Sequence, residues 1–563
     1  MKPRYLLVLA IVLTFIFFKY FMHTVQEYAT TVYINGKIYT CSDQQPTAEA
    51  IAVSGSKIIG VGSTEYILAH FKSQDTFNLQ GKTVVPGLID AHAHILGLGN
   101  ALQNLNLVGT TSAEQIAEMV QKKVSETESD WIFGRGWDQN DWSDKDFPSH
   151  DILDKVSGNK FVILTRVDGH AVWVNKKVLE TAGITFATPD PEGGLIVRDG
   201  SVNPTGILID NATSLIDKII PQKTEKEIEE SILLAANECV KYGLTEVHDM
   251  GVDLKTIKAY FNLIRENKLP LRIYAAIEPF DDYIRMQRSA TWNAIIPRGP
   301  VVNFGDRLTI RAIKLYVDGA LGSRGAALVE PYSDDKQNRG LTMMSEDSIE
   351  TVCREALKHG FQVCTHAIGD RGNHIVLDAY EKVLKDWKGV SPRFRVEHVQ
   401  VLEPNDIPRF RELKVIPSMQ PTHATSDMYW AEDRLGSERV KYAYAWRSIL
   451  NTKMLIAGGS DFPVESPNPL LGFFAACTRA DKNNYPESGW YGSQKMSREE
   501  ALKAFTFWAA DAAFEEDWKG TIEEGKVADF TILSKDIMQV PQKEILDTVV
   551  EFTIVGGKIV YQK

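Results

Sequence analysis

What most constrains the fold of this chain is a rhythm: short apolar runs recur through its middle, and stretches with helical spacing lie between them. The runs are VVPGLIDAHAH, LTEVHDMG, LRIYAAIEP, LTIRAIKLYVDG, FQVCTHAIGD, RFRVEHVQ, LKVIPSMQP and KMLIAGGSDFP. Runs of this kind suit strands buried on both faces of a parallel sheet, with helices as the crossovers. Eight of them is the number that closes a (β/α)8 barrel. The intervening helices stand in their own right. EKEIEESILLAANECVKYG, which follows Thr224, has apolar residues at helical spacing, a threonine N-cap and a glycine at its end. The expected fold is therefore α/β, a distorted TIM-type barrel.

The rhythm breaks once. About 104–222 separates the first strand from the second, far too long for a normal βα connection of roughly 2–6 residues, so it is an insertion with its own structure. It leaves from the end of a barrel strand where active sites of this fold lie, and is expected to shape or cover a substrate pocket. Two patches in it, WIFGRGWDQNDW and RVDGHAVWVN, combine aromatic walls such as Trp137 with Asp168 and His170. Substrate contact is one reading. Equally, the tryptophans are core and Asp168 with His170 a buried hydrogen-bonded pair. Outside the barrel (86–519), residues 28–85 and 520–563 are rich in strands and tight turns and are expected to pair into one small β-sandwich. Asn35-Gly36 and Gly556-Gly557 are its hairpin signals, since these residues accept positive φ.

Residues 1–25 differ from the rest. Lys2 and Arg4 precede an apolar run from Tyr5 to Phe18, extended by Tyr20, Phe21 and Met22, which reads as a signal anchor or signal peptide, a transmembrane helix if uncleaved. The positive charge places the start in the cytoplasm and the catalytic body on the other side of the membrane. No small-x-small site follows the run directly, which favours an uncleaved anchor; cleavage near Ala29 would make the protein secreted. With 44% hydrophobic and 24% charged residues the body is globular. A net charge of -12 without a basic stripe argues against nucleic acid, leaving a small molecule as the expected partner and a homodimer open. The five cysteines are scattered and odd in number, so buried free thiols are expected rather than a disulfide framework.

The chemistry begins in VVPGLIDAHAHIL. Alternate side chains of a strand point the same way, so His92 and His94 project together and can supply half of a metal's ligands. Other strands end in Lys314, His366, His398 and Asp461. Singly, a strand-end histidine is more often structural, and Asp461 serves as a turn or cap residue. A barrel, however, brings all its strand ends to one rim, where four imidazoles and a carboxylate can hold two divalent ions, zinc by ligand type. His423, after the seventh strand, either binds substrate or supports the rim, and His248 with Asp249 belongs behind the ligands.

With PGLIDAHAH, KLYVDGALGSRGAAL, THAIGDRG, RVEHVQ, QPTHATSDMYWAEDRLG and GSDFPVESPNPLLG in order, the chain resembles the amidohydrolase superfamily, in particular the amidohydrolase-3 branch that includes N-substituted formamide deformylases. The resemblance spans about Val32 to Tyr561. It implies a distorted barrel with a β-sandwich, His92 and His94 on one metal, His366 and His398 on the other, and Lys314 bridging both as a carboxylated lysine. Were Lys314 unmodified, one metal is expected. Asp461 would be the last ligand and the general base, and His374 is left outside the site. The expected reaction is hydrolysis of the carbon–nitrogen bond of an amide or formamide, not a peptide, by a metal-bound hydroxide. An esterase, lactonase or cyclic amidase using the same residues, and a non-catalytic membrane-anchored binding protein, are the alternatives.

Overall fold

The computed structural model describes residues 26–167, 169–191, 193–280, 284, 299–387, 389 and 391–563. Its contacts divide the chain into two compact units, one of residues 1–95 and 236–563 and one of residues 96–235.

In the first unit the eight apolar runs form eight strands: β1 (Leu88–Ala93), β2 (Leu244–Val252), β3 (Arg272–Ile277), β4 (Leu308–Tyr316), β5 (Gln362–Ala367), β6 (Arg395–His398), β7 (Ile416–Met419) and β8 (Ala457–Gly458). They pair in parallel in chain order, and a short antiparallel strand, Val301–Phe304, flanks β4. The seam between β1 and β8 has no regular ladder. It is drawn together just past β8, where Asp461 N donates to His92 O (2.7 Å) and His94 N to Phe462 O (2.9 Å). The buried Asp90 carboxylate also accepts from Ser460 N (3.0 Å) and Ser460 Oγ (2.6 Å). Gly459 is required at this seam, because a Cβ there would lie 2.6 Å from His92 N.

The bore below the rim is polar. Lys519 contacts Glu246 and Glu515. Glu246 Oε1 lies 3.2 Å from His248 Nε2, and His248 Nδ1 accepts from Arg395 Nη1 (3.0 Å). Arg395 Nη2 donates to Ala91 O (2.5 Å), Ser418 Oγ (2.9 Å) and Glu397 Oε2 (3.1 Å). All of these side chains except that of Ala91 are charged or polar, and all are buried.

The two chain ends make the sandwich. One sheet, Lys57–Gly62, Ala50–Ser54, Glu27–Ile34 and Phe71–Asn78, comes wholly from the N-terminal stretch. In the other, Thr83–Pro86 pairs with Phe530–Leu533 and so joins the N-terminal to the C-terminal strands. Between them lies an apolar core that includes Tyr33, Ile51, Val84, Phe530, Ile532 and Ile554. Gly556-Gly557, with φ of 59° and 74°, turns the expected hairpin. Asn35-Gly36 does not. Asn35 has φ 58°, but the flanking strands belong to different sheets. Gly36 lies where the chain crosses between the sheets, and a Cβ there would press on the Leu79 side chain at 2.5 Å.

The second unit carries a six-stranded mixed sheet with apolar clusters that include Ile132, Trp173 and Ile207 in one and Val172, Leu179 and Leu208 in the other. The anchor or signal expected at residues 1–25 lies outside the described residues. Among the described residues no helix is long and apolar enough to cross a membrane. All five cysteines are free, and four are buried.

Candidate active site

The strand ends of the first unit enclose a cavity of about 400 Å³ lined by His92, His94, Lys314, His366, His398, His423 and Asp461. A regular strand carries His92 to this rim, while His398 and Asp461 depend on unusual backbone. His398 and Val399 have φ of 76° and 48°, and Asp461 has φ 62°. Non-glycine residues adopt this region at a cost, and such strain gathers at functional sites. At His398 the turn changes which side chains reach the site. Strand alternation sends Glu397 and His398 to opposite faces, yet here Glu397 reaches His92 and His398 lies over the same ring.

Ring nitrogens are fixed from behind. His92 Nδ1 donates to Glu397 Oε2 (2.6 Å), His94 Nδ1 to Met250 O (2.8 Å) and His398 Nδ1 to Gln420 Oε1 (2.9 Å). A neutral imidazole with its proton on Nδ1 presents a bare Nε2 lone pair, the form a metal takes. His94 Nε2 lies 3.1 Å and His92 Nε2 3.6 Å from Asp461 Oδ1. Ligand atoms of His92, His398 and Asp461 all lie within 4.8 Å of one another. The His366 ring stands 4.6 Å from His398, its Nε2 buried 3.5 Å from Asp318 Oδ1. Lys314 Nζ is 3.5 Å from His92 Nε2. These donors suit a divalent cation: oriented imidazoles, a carboxylate and an amine, with little water access.

Electrostatics agree. Burial, then the nearby Lys314 charge, pushes His92 down to about 4 and His366 to about 3, so both rings are neutral near pH 7. Burial also holds Lys314 below its ordinary range. Burial works against the Asp461 charge, but a hydrogen bond from His94 Nε2–H and the surrounding imidazoles outweigh it and keep the carboxyl well below the usual range. Burial works against a charge on His94 too, yet Asp461 raises it, and a bound cation would displace that Nε2 proton. Glu397 is likewise held ionised against burial by Arg395 and His92.

The structure thus brings His92, His94, Lys314, His366, His398, His423 and Asp461 together. It does not place the other expected residues with them. Trp137 is wholly buried in the second unit's core, its indole Nε1 donating to Leu164 O (2.8 Å), so it is a core residue and not a substrate wall. His170 is exposed and paired with Asp210 (2.9 Å) on that unit rather than buried, and Asp168 lies outside the described residues. His374 sits on the helix Asp370–Asp386, half exposed, beside Asp406 (3.0 Å). Asp249 accepts from Ile95 N (2.9 Å) and Tyr260 Oη (2.6 Å), and His248 joins the bore. Sequence reasoning missed Glu397, Gln400, Gln420 and the wall residues Tyr316 and Trp430. Glu397 had a signal, standing next to His398 in RVEHVQ; the others carried none beyond their positions near strand ends.

Comparison with known proteins accords with this geometry. The amidohydrolase family (Amidohydro_3) matches residues 75–561. YtcJ of Bacillus subtilis strain 168 is 33% identical over 94% of this chain and 99% of its own. The N-substituted formamide deformylase of Arthrobacter pascens is 26% identical over 94% and 98%. A crystal structure of an uncharacterized metal-dependent hydrolase from Pyrococcus furiosus superposes with a TM-score of 0.76 at 30% identity, covering 90% of this chain and 100% of that one. Because the match takes in the whole barrel, its rim of imidazoles and the C-terminal strands of the sandwich in one continuous run, the chain belongs to the amidohydrolase family and is a metal-dependent hydrolase.

Proposed function

We propose that the protein hydrolyses the carbon–nitrogen bond of a small amide or formamide, with His92, His94, His366, His398 and Asp461 holding one or two zinc ions. The reading is carried by one observation: three imidazoles at the rim have Nδ1 engaged by an oxygen acceptor, leaving their Nε2 atoms for a cation. A bound divalent ion would supply Lewis acidity, activating water near neutral pH and polarising a carbonyl. Lys314 is the bridging candidate. Burial favours its neutral amine, the form that can add CO₂: an N–C bond forms, one amine proton is released and the neutral amine becomes an anionic carbamate whose oxygens can meet cations.

Asp461 does the proton work. Its Oδ1 lies 3.1 Å from His94 Nε2 and its carboxylate lines the cavity beside the ligand imidazoles, which places it to accept a proton from the attacking water. It then returns that proton to the departing nitrogen, which leaves as an amine rather than as a poor anionic leaving group. The likeness to the Arthrobacter deformylase supports the choice of N-formyl and N-acyl amines as first substrates. The apolar run from Tyr5 to Met22 behind Lys2 and Arg4 supports placing this activity on the outer side of a membrane.

The test is metal content and turnover of the full-length protein purified with bicarbonate and without chelator. About two zinc equivalents with amine release from N-formyl or N-acyl amines is the expected result. Turnover of esters but not amides would remove the bond assignment, and no ion after reconstitution would remove the whole reading.

A further inference from the structure

His423 shares the cavity with the ligand histidines, but its second nitrogen is held the opposite way. His92, His94 and His398 each give Nδ1–H to an oxygen acceptor. His423 Nδ1 instead faces the amide nitrogen of Gln400 (3.1 Å). An amide N–H₂ only donates, so Nδ1 accepts and the ring proton resides on Nε2. The Gln400 backbone is held in place, its main-chain carbonyl accepting from Tyr444 N (2.6 Å), and the side chain is buried. His423 is 7% exposed and lines the cavity, yet among the described residues its Nε2 has no hydrogen-bond partner. The nearest carboxylate oxygen, Asp461 Oδ2, is 3.7 Å away, beyond a hydrogen bond. A buried donor without an acceptor is costly unless a bound molecule supplies one.

We propose that His423 is a catalytic hydrogen-bond donor and not a metal ligand: its Nε2–H, set by Gln400, binds the substrate carbonyl oxygen as that oxygen becomes negative. The inference rests on the hydrolase reading above. As the water oxygen bonds to the carbonyl carbon, the C=O pair moves onto oxygen, where Nε2–H meets it. When the pair returns, the C–N bond breaks and the nitrogen leaves with the proton carried by Asp461. His423 keeps its own proton throughout. One water and one amide give one acid and one amine.

The experiment uses ¹⁵N-histidine spectra of the full-length protein, with the His423 signal among 12 histidines found by difference from His423→Ala. The expected wild-type signature is a proton on Nε2. Gln400→Glu presents an acceptor to Nδ1 and should move that proton to Nδ1. With an N-acyl amine, His423→Ala and Gln400→Glu should each lower kcat by about 10²–10³-fold, the cost of one lost oxyanion donor, with KM changed less than threefold and zinc content equal to wild type. His423→Gln, which keeps an N–H donor, should recover part of the loss. A wild-type proton on Nδ1, unchanged kcat in His423→Ala, or zinc lost from that variant would each overturn the proposal. If the wild type cleaves no amide, the proposed reaction fails, while the spectrum, read without substrate, still decides whether His423 is a donor.

Discussion

The sandwich and the barrel bore are both built from buried side chains of one compact unit, but of opposite kinds. Around Ile51, Val84, Phe530, Ile532 and Ile554 the sandwich is apolar. The bore, by contrast, runs from Lys519 and Glu515 through Glu246, His248, Arg395 and Glu397 to His92. Apolar burial stabilises wherever shape allows and is tolerant of substitution; a buried polar chain gains little net energy but fixes direction. The difference teaches that the site is oriented from beneath. Where only cohesion is needed, the chain uses aliphatic residues, and where a ring nitrogen must point one way, it accepts the cost of buried charge.

The widest separation of the two regions should come from Arg395→Ala. Leaving Glu397 buried without its guanidinium partner should cost about 3–5 kcal/mol in denaturant unfolding and also abolish stoichiometric metal binding. In the sandwich, Ile554→Ala should cost about 3 kcal/mol by cavity formation, while zinc affinity stays at the wild-type value in a chelator competition. Should Ile554→Ala lose zinc too, the two regions are not independent. Removing metal with a chelator should lower wild-type stability by about 2–3 kcal/mol at a hundredfold excess of ion over its dissociation constant, and by the same amount in Ile554→Ala. The smallest effect is expected in the second unit. Trp137→Phe, which removes the indole's hydrogen bond to Leu164 O, should cost about 1–2 kcal/mol with kcat and KM unchanged; a change in KM for an aromatic substrate would return Trp137 to the substrate wall.

The barrel was legible because eight buried strands leave eight apolar runs, and His92 with His94 because strand alternation is a local rule. Other features depend on contacts that no local pattern records. Glu397 reaches His92 across 305 residues of sequence, and nothing in RVEHVQ says that a positive φ at His398 lets neighbouring side chains serve one site. Asn35-Gly36 misled because a glycine that permits a hairpin also permits a crossing between sheets, and the choice is made by the distant strands that Glu27–Ile34 and Lys37–Tyr39 pair with. Trp137 misled because an aromatic in an insertion looks the same whether it faces a ligand or the insertion's own core.

The seam between β1 and β8 carries a consequence for how the molecule comes into being. Asp90 and Ser460, which hold the seam, are 370 residues apart. At ribosomal rates of about 5–20 residues per second, the first strand waits on the order of 20–70 s for its partner. During that time the nascent chain has unpaired strand edges, and its early histidines lack the residues that will orient them. Assembly of the centre is thus a late event of biosynthesis, open to chaperones beforehand and dependent on a supply of metal ion only once translation is nearly over.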